Sequence, residues 1–565
     1  LRRFGADEDF DRTRVISGVI TSPATSAAPE APAEGSLRRA SIVMAAGTMV
    51  SRILGFVRTY LLTVIAAGTS LTLDAFQAAN TLPNVVFILL SAGVLNAILI
   101  PQITRAMKQP DGGQEFVDRL LTVSFASVLV VTTVATLASP WLLDLYFSSS
   151  GATRHLTIFF GFICMPQIFF YGLYAILGQV LNARNQFAAF MWSPVLANVI
   201  QIAGLVWFLV QFGAHPDPAT WTPEMVWVLA GTTTLGIIIQ GLFLIIPLHR
   251  GGFRWRPRWG IRGYGLGAAA RITVWTFTAL VIAQFAGIIM KKMLSHVRLV
   301  HPEVSSSISA YDNAFLIFML PQSFITTSIL TALFPRMSRA NADGSNSAMK
   351  KLLRQGLEMP ALAIIPCSLA MVVLARPGVQ TVFSLEPGQV GSLARAVAVM
   401  GVGLLPFGIA TLQQRYCFAR EDGKLNLIMQ AVTTGVQLII LVTMFVFPPQ
   451  HALVVVAAAQ TIANLVGAVA WLVVASRQLG GIGMGEVNRL WTKLAVASIV
   501  AAVPTYLVAH GIDAAGHGAW VGHAGGTLIG GVLFVALFLV LAKILRIVEV
   551  LDLLNPMLRK VMRRS

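Results

Sequence analysis

Long apolar runs alternate with short polar connections along most of the 565 residues. A bilayer crossing takes about 20 residues of helix. The runs near 41–66, 75–101, 118–140, 155–181, 187–212, 224–248, 266–290, 306–335, 357–382, 392–418, 425–447, 452–476, 491–511 and 525–545 therefore predict about fourteen transmembrane helices. With 56% hydrophobic and 12% charged residues, and a mean hydropathy of +0.74, the chain is too apolar for a water-soluble globule. The expected fold class is an all-α polytopic membrane protein.

Charge orients these helices. The net charge of +17 is spread over alternate connections. One set carries Arg105, Lys108 and Arg119, then Arg184, then Arg250 to Arg262, then Arg336 to Arg354, then Arg415 to Lys424, and then Arg477 to Lys493. The opposite connections GTSLTL, HPDPATWTPE, PPQHA and AHGIDAAGHGA hold no Lys or Arg, and the seventh, with Lys291, Lys292 and Arg298, is the exception. The positive-inside rule then predicts an even number of spans and two cytoplasmic termini. Residues 1–36 lack a signal-peptide core and read as a disordered cytoplasmic tail, which makes the first span an uncleaved helix. Residues 547–565 read as a basic tail lying against anionic membrane lipids. The basic residues come without a nucleic-acid fold motif, so no nucleic-acid partner is expected.

An internal repeat divides the chain. DAFQAANTLPN, from Asp74, and DNAFLIFMLPQ, from Asp312, share their Asp-to-Pro spacing at an offset of 238 residues, and ILIPQITRA is matched by TALFPRMSRA. Ala183-Arg184 and Ala419-Arg420 repeat at an offset of 236. Two six-span lobes are expected, at 37–250 and 251–480, with two further spans at 481–546. Because six is even, the lobes share one orientation, the arrangement of parallel repeats that rock about a central site.

The first span carries the chemistry that most needs explaining. SRILGFVRTYLL, Ser51 to Leu62, places Arg52 and Arg58 in an apolar run, where a guanidinium is costly unless it faces water or a partner. Arg52 falls about 16 Å along the helix and Arg58 about 9 Å further, some 120° around the axis. Both can border one cavity, though not as a single clamp. Arginine's forked donors match phosphate oxygens. Arg52 could instead pair with a carbonyl or with Asp74, and Arg58 could also be structural. Asp74 is either functional or a cap of the second helix. Asn80, Asn84, Asn96 and Gln284 are either cavity-lining groups or interhelical hydrogen-bonding partners. Pro83 and Pro321 are expected to kink their helices, Asp312 to be a packing residue, and Arg254 to Trp259 to anchor the connection between the lobes.

These residues also carry a resemblance. SRILGFVR, LDAFQAANTLPN, GVLNAILIPQITRAM, LNARNQF and LFPRMSR resemble the MurJ (MviN) lipid II flippases, members of the superfamily of multidrug, oligosaccharide-lipid and polysaccharide exporters. The resemblance implies two helical bundles in a V around a central cavity, with a lipid-facing groove formed by the last two helices. It implies a cargo of undecaprenyl-pyrophosphate-linked disaccharide-pentapeptide, the lipid-linked peptidoglycan precursor, carried across a bacterial cytoplasmic membrane by alternating access. It also places Arg52, Arg58 and Asp74 on family positions and brings cell-wall synthesis proteins in as possible partners. The chain departs from the family at Thr59, Phe87-Ile88, Ala92-Gly93 and Leu316, so its cavity is expected to be less basic.

No phosphate-binding glycine loop, metalloprotease helix or serine elbow is found, and the connections are too short for a catalytic domain, so an enzyme is not expected. Cys164, Cys367 and Cys417 lie in apolar runs, and His510, His517 and His523 lack ligand spacing, so neither a disulfide framework nor a metal site is expected. No cofactor is expected, and a coupling ion is left open. Besides a lipid II flippase, two readings remain: a cation-coupled multidrug or other polysaccharide-lipid exporter, which would concentrate carboxylates in its spans, and a non-transporting scaffold for cell-wall synthesis.

Overall fold

A computed structural model describes residues 34–90, 114–260 and 267–550, apart from 185, 303, 305, 306, 384, 386, 517 and 518. Most of the two expected tails, the distal part of the second span with Asn96, and Arg105 and Lys108 lie outside the described residues. Every regular element among the described residues is helical.

In the first half these are α1 (Glu34–Ile65), α2 (Leu71–Leu90), α3 (Gln114–Leu137), α4 (Ser139–Tyr146), α5 (Gly151–Cys164), α6 (Gln167–Ala183), α7 (Phe187–Gln211) and α8 (Pro223–Arg250). The second half holds α9 (Gly267–Val300), α10 (Ile308–Ala342), α11 (Asn346–Val373), α12 (Ala375–Val382), α13 (Pro387–Val402), α14 (Leu404–Ala419), α15 (Gly423–Val442) and α16 (Ala452–Leu479). Two long helices follow, α17 (Met484–Ala515) and α18 (Trp520–Ile544). Among the described residues twelve helices are long and apolar enough to span a bilayer on their own. The pair α13 and α14, bent by 51° at Gly403, adds a thirteenth span. The second expected span begins as α2 and is described as far as Leu90.

The repeat extends beyond the two sequence matches that revealed it. Helices α4 and α12, α5 and α13, and α7 and α15 begin 236 residues apart, at Ser139 and Ala375, Gly151 and Pro387, and Phe187 and Gly423. The loop arginines that showed the repeat take equivalent places, Arg184 as the C-cap of α6 and Arg420 as the C-cap of α14. Two boundaries differ from the hydropathy reading. The third and ninth spans each end in a separate helix of eight residues, α4 and α12. Pro140, in the first turn of α4, suits a helix start, where its missing N–H costs nothing.

The prolines act asymmetrically. Helix α2 continues as α-helix through Pro83, whereas in α10 a π-turn over Gln322–Thr326 follows Pro321. A π-turn absorbs the lost hydrogen bond by locally widening the helix.

Each half has its own core. Phe76 meets Phe160 edge-on at 5.4 Å, and Trp221 packs on both Phe160 and Phe208, tying α2, α5 and α7 together at the Lys/Arg-poor end. In the second half Trp471 and Tyr416 are fully buried against each other, toward the basic end. Helices α17 and α18 pair with each other and pack on α11 and α12. Side chains such as Val130, Val210, Ile439 and Val532 are exposed, an outward face that lipid tails satisfy as well as protein does.

Candidate functional site

Helix α1 packs along α7, and this contact decides where Arg58 goes. Its Nη1 donates to Oε1 of Gln201 on α7 at 2.9 Å, and Tyr171 of α6 is its other polar neighbour. Among the described residues the Nε–H of Arg58 is buried without a partner. Arg52, a turn and a half earlier, turns elsewhere. Its guanidinium lies 5.4 Å from the ring centre of Phe324 in α10. There it borders a 480 Å³ apolar crevice between the halves, with Phe56, Tyr60, Leu320, Phe324 and Val382. The two arginines are thus split, Arg58 into the first half and Arg52 into the gap between halves. Among the described residues neither has a carboxylate partner. Thr59, one of the departures from the family pattern, bonds back to the Gly55 carbonyl at 3.0 Å.

Asp74 is fully buried and lies in the first turn of α2. The helix it caps belongs to the other half: Oδ1 accepts from the Ser309 N–H at 2.8 Å, at the start of α10. A carboxylate there also meets the positive end of the α10 dipole. Asn80 accepts from Gln167 Nε2 at 3.3 Å, and Gln167 also donates to Thr234, an interhelical network of the first half. Asn84 is exposed.

The Asp74 bond belongs to a seal between the halves. Ser148 N–H donates to Ser295 Oγ at 2.8 Å, Thr69 N–H to Gln389 Oε1 at 3.2 Å, and Lys292 Nζ to the Asp144 carbonyl. Phe56 stacks near Phe383. Glycine suits position 68: its φ is +102°, and a Cβ would stand 2.3 Å from Gln389 Oε1. All four hydrogen bonds lie at the Lys/Arg-poor end.

This seal explains the exception to the charge pattern. Lys291, Lys292 and Arg298 lie inside α9 rather than in an exposed connection. Lys291 pairs with Asp312 at 2.8 Å and lies over the Tyr146 ring, while Arg298 donates to the Val304 carbonyl. Asp312 is therefore the partner of a buried cation. Asp144, whose carbonyl takes Lys292, is itself held below the usual carboxylate pKa by its hydrogen bonds from Arg154.

At the other end the 253–260 segment is anchored to α3. Trp255 Nε1 donates to Asp118 O and Thr122 Oγ1, the Arg256 N–H to Asp118 Oδ1, and Arg258 pairs with Glu115 at 3.3 Å. The segment expected to anchor the connection between the lobes thus fastens to the first half. Beside α17 a 480 Å³ crevice runs along α11 and α14, lined by Leu369, Val372, Leu405 and Trp491. Of the outer histidines, His523 contacts Asp513, His510 stacks on Tyr506, and His517 lies outside the described residues.

Sequence reasoning missed Gln201, which lies 143 residues from Arg58 and reads as one more polar residue in an apolar helix. It also missed a polar cavity in the second half, where the sequence had pointed only to Gln284. That cavity is lined by seven Asn and Gln side chains, Gln284 not among them.

With this geometry in hand, the comparisons with known proteins are specific. The family model described as "Lipid II flippase MurJ" matches residues 64–519. A probable lipid II flippase MurJ of Rhizobium meliloti (strain 1021) is 25% identical over 435 residues, covering 74% of this chain and 77% of the relative. The corresponding Vibrio cholerae protein is 24% identical over 404 residues, covering 69% and 74%. Among solved structures, a lipid II flippase MurJ in an inward closed conformation superposes with a TM-score of 0.68 at 18% identity, covering 89% of this chain and 98% of that one. An inward-facing MATE family multidrug transporter of the MOP superfamily superposes at 0.60 with 15% identity, covering 78% and 98%. The MATE likeness shows a shared fold, while the family match runs from the end of α1 through the second half to just past α17: the chain belongs to the MurJ lipid II flippase family.

Proposed function

We propose that the chain moves lipid II, the undecaprenyl-pyrophosphate-linked peptidoglycan precursor, from the cytoplasmic to the outer leaflet by alternating access, without changing it chemically. The observation that carries this is Arg58, a half-buried cation in a membrane-embedded bundle that has a neutral amide as its hydrogen-bond acceptor and, among the described residues, an unspent buried Nε–H. A guanidinium offers five donors, and a pyrophosphate that has shed part of its hydration supplies the acceptors and charge that Gln201 lacks. Arg52, at the crevice between the halves, stands where a lipid-linked anion enters from the bilayer side. The Lys/Arg-poor end is the outer face by the positive-inside rule. The sealed end is then the outer one, which on this reading stays closed while cargo arrives from the cytoplasm. Opening the seal after the headgroup has bound delivers it outward.

The test is flipping of labelled lipid II by protein reconstituted in vesicles. Arg58→Ala is expected to cut the rate roughly 10- to 100-fold, the worth of about one charge-assisted hydrogen bond. Arg58→Lys recovers part of it, because a point charge lacks the fork. Wild-type flipping by a folded Arg52→Ala, Arg58→Ala double variant overturns the proposal.

A further inference from the structure

The second half contains a cavity of different chemistry. It occupies 290 Å³ between α9, α10, α14, α15 and α16 and is lined by Gln413, Gln414, Asn426, Gln430, Gln437, Gln460 and Asn464, with threonines and the rings of Tyr311 and Phe407. None of its lining residues carries a charge. The amides are already arranged: Gln413 donates to Asn426 at 3.2 Å, Gln437 to Gln460 at 3.2 Å, and Gln430 to Thr434 at 3.0 Å. Each primary amide has two N–H donors and an acceptor oxygen, so these bonds leave much of the capacity unspent. Asn464 is 4% exposed, and among the described residues its Nδ2 is buried without a partner. A network that existed only to hold helices together would satisfy that group.

We propose that this cavity binds a neutral, polyhydroxylated, amide-bearing unit, an N-acetylated sugar ring of the cargo headgroup, a proposal that rests on the lipid II reading. The lining selects for it. A pyrophosphate finds no counter-charge here and a metal cation no carboxylate, whereas hydroxyls and an acetamide are both donors and acceptors, matching amide side chains. The two aromatic rings offer faces for the apolar C–H side of a sugar. The volume is at the small end of ligand sites, enough for one ring and not for a whole headgroup. The headgroup is then read in two parts, its charge by the first half and its sugar by the second.

The test measures binding of the full chain in nanodiscs to three lipids: bare undecaprenyl pyrophosphate, the same lipid carrying the N-acetylated disaccharide without peptide, and complete lipid II. Wild-type protein is expected to bind the disaccharide lipid about tenfold or more tighter than the bare one. Asn464→Leu and Gln430→Leu each erase about threefold to tenfold of that gain and leave binding of the bare lipid unchanged. Gln430 is only half-buried and reports if the Asn464 variant fails to fold. A gain that both variants retain overturns the inference, as does a gain that arises only with the peptide or no gain at all. Binding of none of the three lipids by wild-type protein defeats the flippase reading itself.

Discussion

Each half of the molecule carries a cation in the last third of its first long helix, and the two are treated differently. In the second half Lys291 of α9 faces a carboxylate, Asp312, at 2.8 Å and sits under Tyr146 of the first half, at the seal. In the first half Arg58 of α1 meets Gln201, and its Nε–H is left over. A cation whose charge is already neutralised holds structure together. One left with a neutral acceptor is available to an anion that comes and goes. One scaffold, repeated, thus supplies a fixed point and, on the proposed function, a binding point at similar places.

Locking the fixed side gives the largest expected effect on this contrast. With Cys164, Cys367 and Cys417 replaced, Ser148→Cys and Ser295→Cys should form a disulfide across the seal and stop transport completely. Reductant should restore it, and binding of lipid II at Arg58 should persist in the locked protein. Transport at full rate with the crosslink complete would show that this end does not open.

Removing Lys291 comes next. Lys291→Met leaves Asp312 uncompensated and should cost about 3–5 kcal/mol of stability, read by thermal unfolding in detergent, with most of it regained in Lys291→Met, Asp312→Leu. Arg58→Met should show the opposite profile, stability kept and transport lost. Equal destabilisation by both would erase the distinction between the halves. The smallest effect is expected from Gly68→Ala. Its strained φ costs about 1 kcal/mol and its Cβ pushes Gln389 away, shifting the seal toward open by about fivefold. A lower disulfide yield at the Ser148 and Ser295 positions would report this.

The spans were legible because a bilayer imposes a length that hydropathy registers directly, and the tenth span was found even though it bends at Gly403. Arg52 and Arg58 were legible for the same reason, as charges where water is scarce. Their environments were not. Six residues of separation predicted two directions, but only the packing of α1 on α7 shows that one of them ends at Gln201. Asp74 stands at the start of its own helix and reads as that helix's cap, yet it caps the helix of its repeat mate, 235 residues away, because the halves meet there. Lys291, Lys292 and Arg298 read as loop charges because three cations end an apolar run, and their acceptors are supplied by groups elsewhere in the fold. The amide cavity left no periodic mark, since Asn and Gln spread over several helices each resemble ordinary interhelical hydrogen bonding.

Every hydrogen bond described across the seal has a peptide group on one side. Ser309, Thr69 and Ser148 contribute main-chain N–H groups and Asp144 its carbonyl, against single side chains on Asp74, Gln389, Ser295 and Lys292. Substitution can remove one side of each bond but not the other. Alanine scanning across this interface should therefore be lopsided, sensitive at Asp74, Gln389, Ser295 and Lys292 and nearly silent at Thr69 and Ser148 opposite. For the same reason paired substitutions have little to trade between the two lobes here, and lineages can drift far apart in sequence while the closure itself survives.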